Sequence, residues 1–364
     1  MIGPTLGFYF GRRILNAILA IFGIAFAIVF MFDFLDLIRS TIDRPSFRWA
    51  TAFQTSFFRV PVFSELVLPF ATLFGAMAAF LALSRKLELV VARAAGISVW
   101  QFTAPAVLVA AGLGLFASLV YNPLAAAMKD HSDRMALVLA GTDRSKGTSD
   151  PSKAVWLRQD GEDGESIIRA AQAADRGLHL ADVSIYGYDH TGRFRERIEA
   201  ATADYDDGRW RLTRVDVHTS GHDPQAYDTY HVSTKLKREQ VGESLAQPDT
   251  VSFWALPSFI EAARNAGLPA YQFELQYQSL LARPLLLVAM VAIAATVSLR
   301  VFRFGNIGRM ILGGVAAGFV LYVVGEVARG LGGAGMVPPF LAAWSPAVIA
   351  SSMGFTILLY LEDG

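Results

Sequence analysis

The chain has 364 residues, 53% of them hydrophobic and only 18% charged, with no cysteine. A typical soluble domain is about 25% charged, so this is the composition of a membrane protein. The absence of thiols excludes a disulfide framework, a thiolate metal site and a cysteine nucleophile. The balance of 32 basic against 32 acidic residues excludes a strongly basic nucleic-acid binder.

A membrane span needs about 20 mostly apolar residues. Residues 14–32, after Arg12-Arg13, form the first such run. It is too long for a signal peptide and no small-residue cleavage site follows it, so it is read as a retained span. Further spans are expected at 66–84, 102–121, 279–299 and 310–327, with a sixth inside 330–361 whose start is marked by Pro338-Pro339. Lys and Arg set the orientation. With the N-terminus inside, the short cytoplasmic stretches hold Arg12, Arg13, Arg85, Lys86, Arg93, Arg300, Arg303 and Arg309, against Glu88, Glu362 and Asp363. The acidic insert at 122–273 then lies outside, and both termini lie inside.

Within that insert the period changes from helical to alternating. Strands are expected at 154–158, 166–170, 183–188, 193–205 and 209–217, separated by turn signals at Asp160-Gly161, His190-Thr191-Gly192 and Asp206-Asp207-Gly208. Strands at this spacing suggest a sandwich or jelly roll. A short helix at 256–266 leads back to the membrane. The expected fold class is membrane α+β: six transmembrane helices with a β-jellyroll inserted between the third and fourth. Its parts are 1–121 with a cytoplasmic helix at 84–96, the insert and return segment at 122–273, and the last three helices at 274–364.

Catalytic chemistry does not emerge. Residues 141–148 (GTDRSKGT) have the wrong order for a phosphate-binding loop. All six histidines lie in the insert, and Ser220-Gly221 between His218 and His222 keeps that pair off a common helical face. Ser98 lacks the second glycine of a nucleophile elbow. Two other clusters stand out. In SRKLELVVARAAGIS (84–98), Leu87, Val90, Val91 and Ala94 make an apolar stripe beside polar Arg85, Lys86, Glu88 and Arg93, and Gly96 stands at the C-cap position. This is an amphipathic helix, either resting on the inner leaflet or docking into a cytoplasmic partner. The lone Glu88 favours docking, because anionic lipid would repel it. The second cluster is Asp33, Asp36 and Arg39 after span one, Arg283 at the start of span four, and Glu326 with Arg329 at the end of span five. Such charges either snorkel to headgroups or form a rim for an anionic lipid headgroup.

Three segments carry a specific resemblance: VLPFATLFGAMAAFLALSRKLELVVARAAGIS (67–98), VSIYGY…AATADYDDGRWRLTRV (183–215) and YQFELQYQSLLARPLLLVAMVAIA (271–294). The chain resembles, nearly end to end, the LptF/LptG permease family of the lipopolysaccharide-export ABC transporter. Its Ile-Tyr and Arg-Trp-Arg-Leu strands are more similar to the LptG type. The resemblance implies a non-catalytic inner-membrane permease without a cofactor of its own, working with a sister permease (LptF), an LptB ATPase dimer that uses ATP and magnesium, LptC and the periplasmic bridge protein LptA. It further implies that 84–98 is the coupling helix, with Glu88 on its acidic position. Spans one and five would form lateral gates for lipopolysaccharide, and the jelly roll would carry the lipid onward. Arg39 matches a basic position that follows span one in LptG-type members, whereas Asp33 and Ser40 stand where others commonly have lysine. The rival readings are a mechanotransmission-type ABC permease, a secondary transporter and a non-transporting scaffold. Six spans, the lack of midplane charges in the first three spans, and the docking helix weigh against them in turn.

Overall fold

Each uncharged run forms a helix that continues beyond it in the computed structural model, which describes residues 4–42, 47–88, 91, 94, 96, 98–140, 155–161, 164–174, 177–189, 193–219, 223–236, 248–265, 270–302 and 307–363. The first two helices are α1 (Pro4–Thr41) and α2 (Trp49–Arg85), of 38 and 37 residues. Each is about 55 Å long at 1.5 Å per residue, well beyond a hydrocarbon core of about 30 Å. Then come α3 (Val99–Phe116), a π-helical turn (Ala117–Tyr121), α4 (Asn122–Ala140), six strands, α5 (Leu256–Asn265), α6 (Tyr271–Phe302), α7 (Ile307–Gly333) and α8 (Pro339–Asp363). Among the described residues, six helices are long and apolar enough to cross a membrane. The chain divides into two units: Met1–Met31, Val60–Leu124 and Tyr271–Gly364 form one, and Phe32–Arg59 with Ala125–Ala270 the other.

The core of the first unit is built from Phe10, Ile14 and Ile18 of α1, Leu73, Phe80 and Leu83 of α2, Phe102 of α3, and Leu287, Met290 and Val291 of α6. In a bilayer, lipid tails compete equally for apolar side chains, so helices associate where small residues let backbones approach closely. At Gly75 a Cβ would fall 2.5 Å from Ile18 Cα and 2.8 Å from its nitrogen. At Gly114 it would meet the backbone of Pro284. Pro284 cannot donate to Leu280, four residues earlier, and the Ser118 hydroxyl supplies the missing donor at 2.6 Å. Gly75→Leu is therefore expected to separate α1 from α2 and lower stability by about 1–3 kcal/mol, the usual cost of overpacking. Thermal unfolding in detergent measures this.

In the second unit the strands β1 (Val155–Gly161), β2 (Gly164–Ala174), β3 (His179–Tyr188), β4 (Phe194–Asp206), β5 (Arg209–Thr219) and β6 (Gln225–Ser233) form one antiparallel sheet in sequence order. The β4–β5 hairpin turns at Asp207-Gly208, both with positive φ, as a type I′ turn requires. Asp160-Gly161 ends β1 instead of forming the turn, and His190-Thr191-Gly192 lies outside the described residues. A crease crosses the sheet. Asp182 and Arg214 have φ of 52° and 51° in mid-strand, and Ala201 of β4 lies between them. Buried positions that otherwise step by two here step by three, from Leu180 to Val183 and from Leu212 to Val215. The bend is matched by contact between the two edge strands' sides of the core: Gln159 of β1 accepts from Trp210 Nε1 of β5 at 3.0 Å and donates to the Ser233 carbonyl of β6 at 3.4 Å.

The helical part of this unit is tied by polar contacts. Arg59 pairs with Asp33 at 2.9 Å, Ser56 donates to Asp33 at 2.6 Å, and Ser132 of α4 donates to the Thr55 carbonyl at 2.8 Å. Asp33, read from sequence as one of a row of charges following span one, thus has a cationic partner on α2.

Candidate functional site

Two charged clusters in the first unit hold together residues far apart in sequence. The first surrounds segment 84–98. Arg85 closes α2, and the chain then leaves the helix through Leu87, whose φ of 61° is uncommon for a residue with a branched side chain. Leu87, Val91 and Ala94, spaced four and three residues apart, are all exposed. Gly96 adopts φ 83°, the left-handed conformation expected of a helix terminator. Ser98 then caps α3: its hydroxyl accepts from the Gln101 N–H while the Gln101 side chain accepts from the Ser98 N–H. That capping box accounts for Ser98 without any catalytic role. Val90 and Arg93 lie outside the described residues, as do 141–148 and His222.

Glu88 faces α1. Arg13 Nη1 lies 2.8 and 3.0 Å from its two carboxylate oxygens, and Tyr9 donates to it at 3.2 Å. Arg13 also donates to the Tyr9 hydroxyl at 2.9 Å. Sequence reasoning assigned Glu88 to a docking face but counted Arg13 only toward topology. The two are 75 residues apart, and no local pattern joins them.

The second cluster is buried among the helices. Arg283 Nη2 of α6 lies 2.6 Å from Glu65 Oε2 of α2, with side chains only 15% and 9% exposed. Asn122 of α4 donates to the same carboxylate at 3.1 Å. Beside it Tyr121 shares a 2.6 Å hydrogen bond with Ser64, and Ser64 donates to the Pro61 carbonyl at 2.7 Å. The π-helical turn is what brings both Ser118 and Tyr121 to bear here, a common setting for such irregular turns. A small apolar cleft, lined by Ile18, Leu19, Phe22, Leu68, Leu113 and Phe116, opens next to Glu65 and Tyr121. Arg283 is therefore directed at a carboxylate of its own chain. The signal for this was available: Glu65 directly precedes the second apolar run and Arg283 opens the fourth, two opposite charges at spans' ends.

The remaining charges singled out from sequence are on the surface. Asp36 and Arg39 are exposed on α1, and Glu326 pairs with Arg329 one turn along α7. Within the first unit, Arg283 and Arg329 each pair with a carboxylate on this chain and are not gathered into one cationic patch. The two spans of lowest burial are the first and fifth, 11% each, against 56% and 61% for the second and fourth.

Six long apolar helices among the described residues, with an antiparallel β unit inserted between the third and fourth, define a multi-pass membrane protein of the α+β class. Residues 8–360 match the family described as lipopolysaccharide export system permease LptF/LptG, and the chain belongs to that family. It is similar to the lipopolysaccharide export system permease protein LptG of Haemophilus influenzae, 25% identical over 370 residues covering 99% of each chain. The LptG protein of Escherichia coli K12 is 24% identical over 371 residues, covering 97% of this chain and 96% of that one. The chain is thus a multi-pass inner-membrane permease of lipopolysaccharide export.

Proposed function

We propose that this chain is the LptG-type half of a paired permease, joined to a sister LptF permease and driven by an LptB ATPase dimer, with LptC and LptA as its partners toward the periplasm. Its termini face the cytoplasm and its β unit the periplasm. It binds no cofactor; ATP and magnesium belong to the ATPase. The observation that carries the reading is the exposed edge of Leu87, Val91 and Ala94 beside Glu88. An apolar edge next to a fixed carboxylate suits a protein groove with a cationic rim better than anionic lipid. Arg85, Arg93 and Gly96 complete that docking segment.

The sparse burial of the first and fifth spans supports a second role for them. They are the helices with most apolar surface left for a sister permease or for lipid, which suits lateral gates. Asp36, Arg39, Glu326 and Arg329 lie on those two helices and would meet the lipid headgroup. Arg283, held by Glu65, would shape the path by fixing α6 against α2. Closing of the ATPase would drive the docking segments together, collapse the cavity between the permeases and push lipid into the β units.

Glu88→Ala is expected to reduce the ATPase recovered with the tagged chain at least about tenfold, the effect of losing a charged contact of about 1.4 kcal/mol, while the chain's own yield is unchanged. Full ATPase retention with normal export in that variant would remove the docking assignment.

A further inference from the structure

We infer that Arg13, seconded by Tyr9, is the positioning residue for Glu88, and that the pair fastens segment 84–98 to α1 so that the first span moves with it. The inference rests on the reading above, in which that segment meets an ATPase. Covalently, 84–98 joins α2 to α3, and nothing in the chain's connectivity links it to α1. The link is made by side chains. Tyr9 and Arg13 stand one turn apart on α1 and present a single face. Their hydroxyl and guanidinium meet the Glu88 carboxylate, and each other, at 2.8–3.2 Å. The Arg13 guanidinium also lies 5.6 Å from the centre of the Tyr9 ring, within cation–π range. The arginine is held from two sides.

The clamp sits directly after the left-handed Leu87, where the chain leaves the α2 helix and its direction changes. A carboxylate has about four acceptor positions. Arg13 and Tyr9 approach from α1, so Glu88 retains acceptor capacity for a docking cation while still bound to the span. α1 is also one of the two least buried spans. The clamp therefore gives a push on the segment a direct route to the span proposed as a gate.

The side chains of Arg13 and Glu88 are 24% and 28% exposed, so the tie is of the modest strength that shifts a coupled equilibrium about three- to fivefold. The test uses the full assembly with ATPase and sister permease in proteoliposomes, reading lipopolysaccharide released per ATP hydrolysed. Arg13→Ala should retain more of the ATPase than Glu88→Ala does, yet lower the lipopolysaccharide released per ATP hydrolysed about three- to fivefold. Only Nη1 contacts the carboxylate, so a point charge can replace it, and Arg13→Lys should recover more than half of the loss. Tyr9→Phe, which removes one hydroxyl and no packing, should shift the ratio in the same direction by less. An unchanged ratio in Arg13→Ala overturns the clamp, and so does an equal loss in Arg13→Lys. Failure of the unmodified assembly to couple hydrolysis to release would instead overturn the reading on which the clamp rests.

Discussion

Arg283→Ala is expected to lower the stability of the helical unit by about 3–5 kcal/mol, the usual cost of leaving one half of a buried ion pair uncompensated. The pair sits among helices where water cannot solvate the abandoned Glu65 carboxylate, and the Asn122 amide at 3.1 Å is a weak substitute for a cation. Glu65→Ala should cost a similar amount, since it strands the guanidinium. A double variant, Glu65→Gln with Arg283→Leu, should recover to within about 1.5 kcal/mol of the original, because a buried pair replaced as a whole is often close to neutral. Gln also keeps an oxygen for Asn122. Thermal or denaturant unfolding in mild detergent reads all three. A double variant as unstable as the singles would mean that the charges do more than cancel each other, and that the cluster is under functional demand.

Trp210→Ala should be the most damaging single change in the β unit. Trp210 is fully buried, its ring packs edge-on against Tyr205 at 5.6 Å, and its N–H donates to Gln159 at 3.0 Å. Truncating a buried tryptophan costs about 3–5 kcal/mol. The effect reaches beyond the cavity, because Gln159 also donates to Ser166 and to the Ser233 carbonyl and so bridges β1 to β2 and β6. Trp210→Phe keeps most of the apolar area and should cost only about 1–2 kcal/mol for the unmet acceptor. Hydrogen exchange across β1, β5 and β6 in the full chain checks both: protection should fall together in these strands for Trp210→Ala and only locally for Trp210→Phe.

The six spans were legible because an uncharged run long enough to cross a bilayer has few other uses. Their extents were not. Beyond the apolar stretch a helix keeps its backbone bonds and merely exchanges apolar side chains for polar ones, so α1 and α2 continue where composition suggests loops. α4 was hidden in the same way, although Lys129 and Asp133, paired at 3.0 Å across one turn, carry the helical spacing. Five strands were foreseen from alternation. β6 was not, because its residues are mostly exposed and an edge strand needs no buried face. The crease was present in the sequence as a three-residue step between apolar positions, which reads as a fault in the pattern until the left-handed Asp182 and Arg214 explain it.

The candidate site divides along a similar line. Glu88 was legible as the lone acid on a basic amphipathic segment, and Leu87 and Val91 as its apolar companions. What Glu88 touches was not, since Arg13 belongs to another helix and pairing across 75 residues leaves no periodic trace. Arg283 was singled out as an ionisable group too costly to leave in the membrane without a partner. Its partner is Glu65, which a search for opposite charges at the same level of neighbouring spans would have found.

The most direct measurement is a pulldown of the tagged chain from its native membrane in mild detergent, with intact-mass and lipid analysis of what accompanies it. The account predicts recovery of an ATPase dimer, a second six-span permease and lipopolysaccharide. Recovery of the chain alone, or with a different lipid and no ATPase, would contradict it.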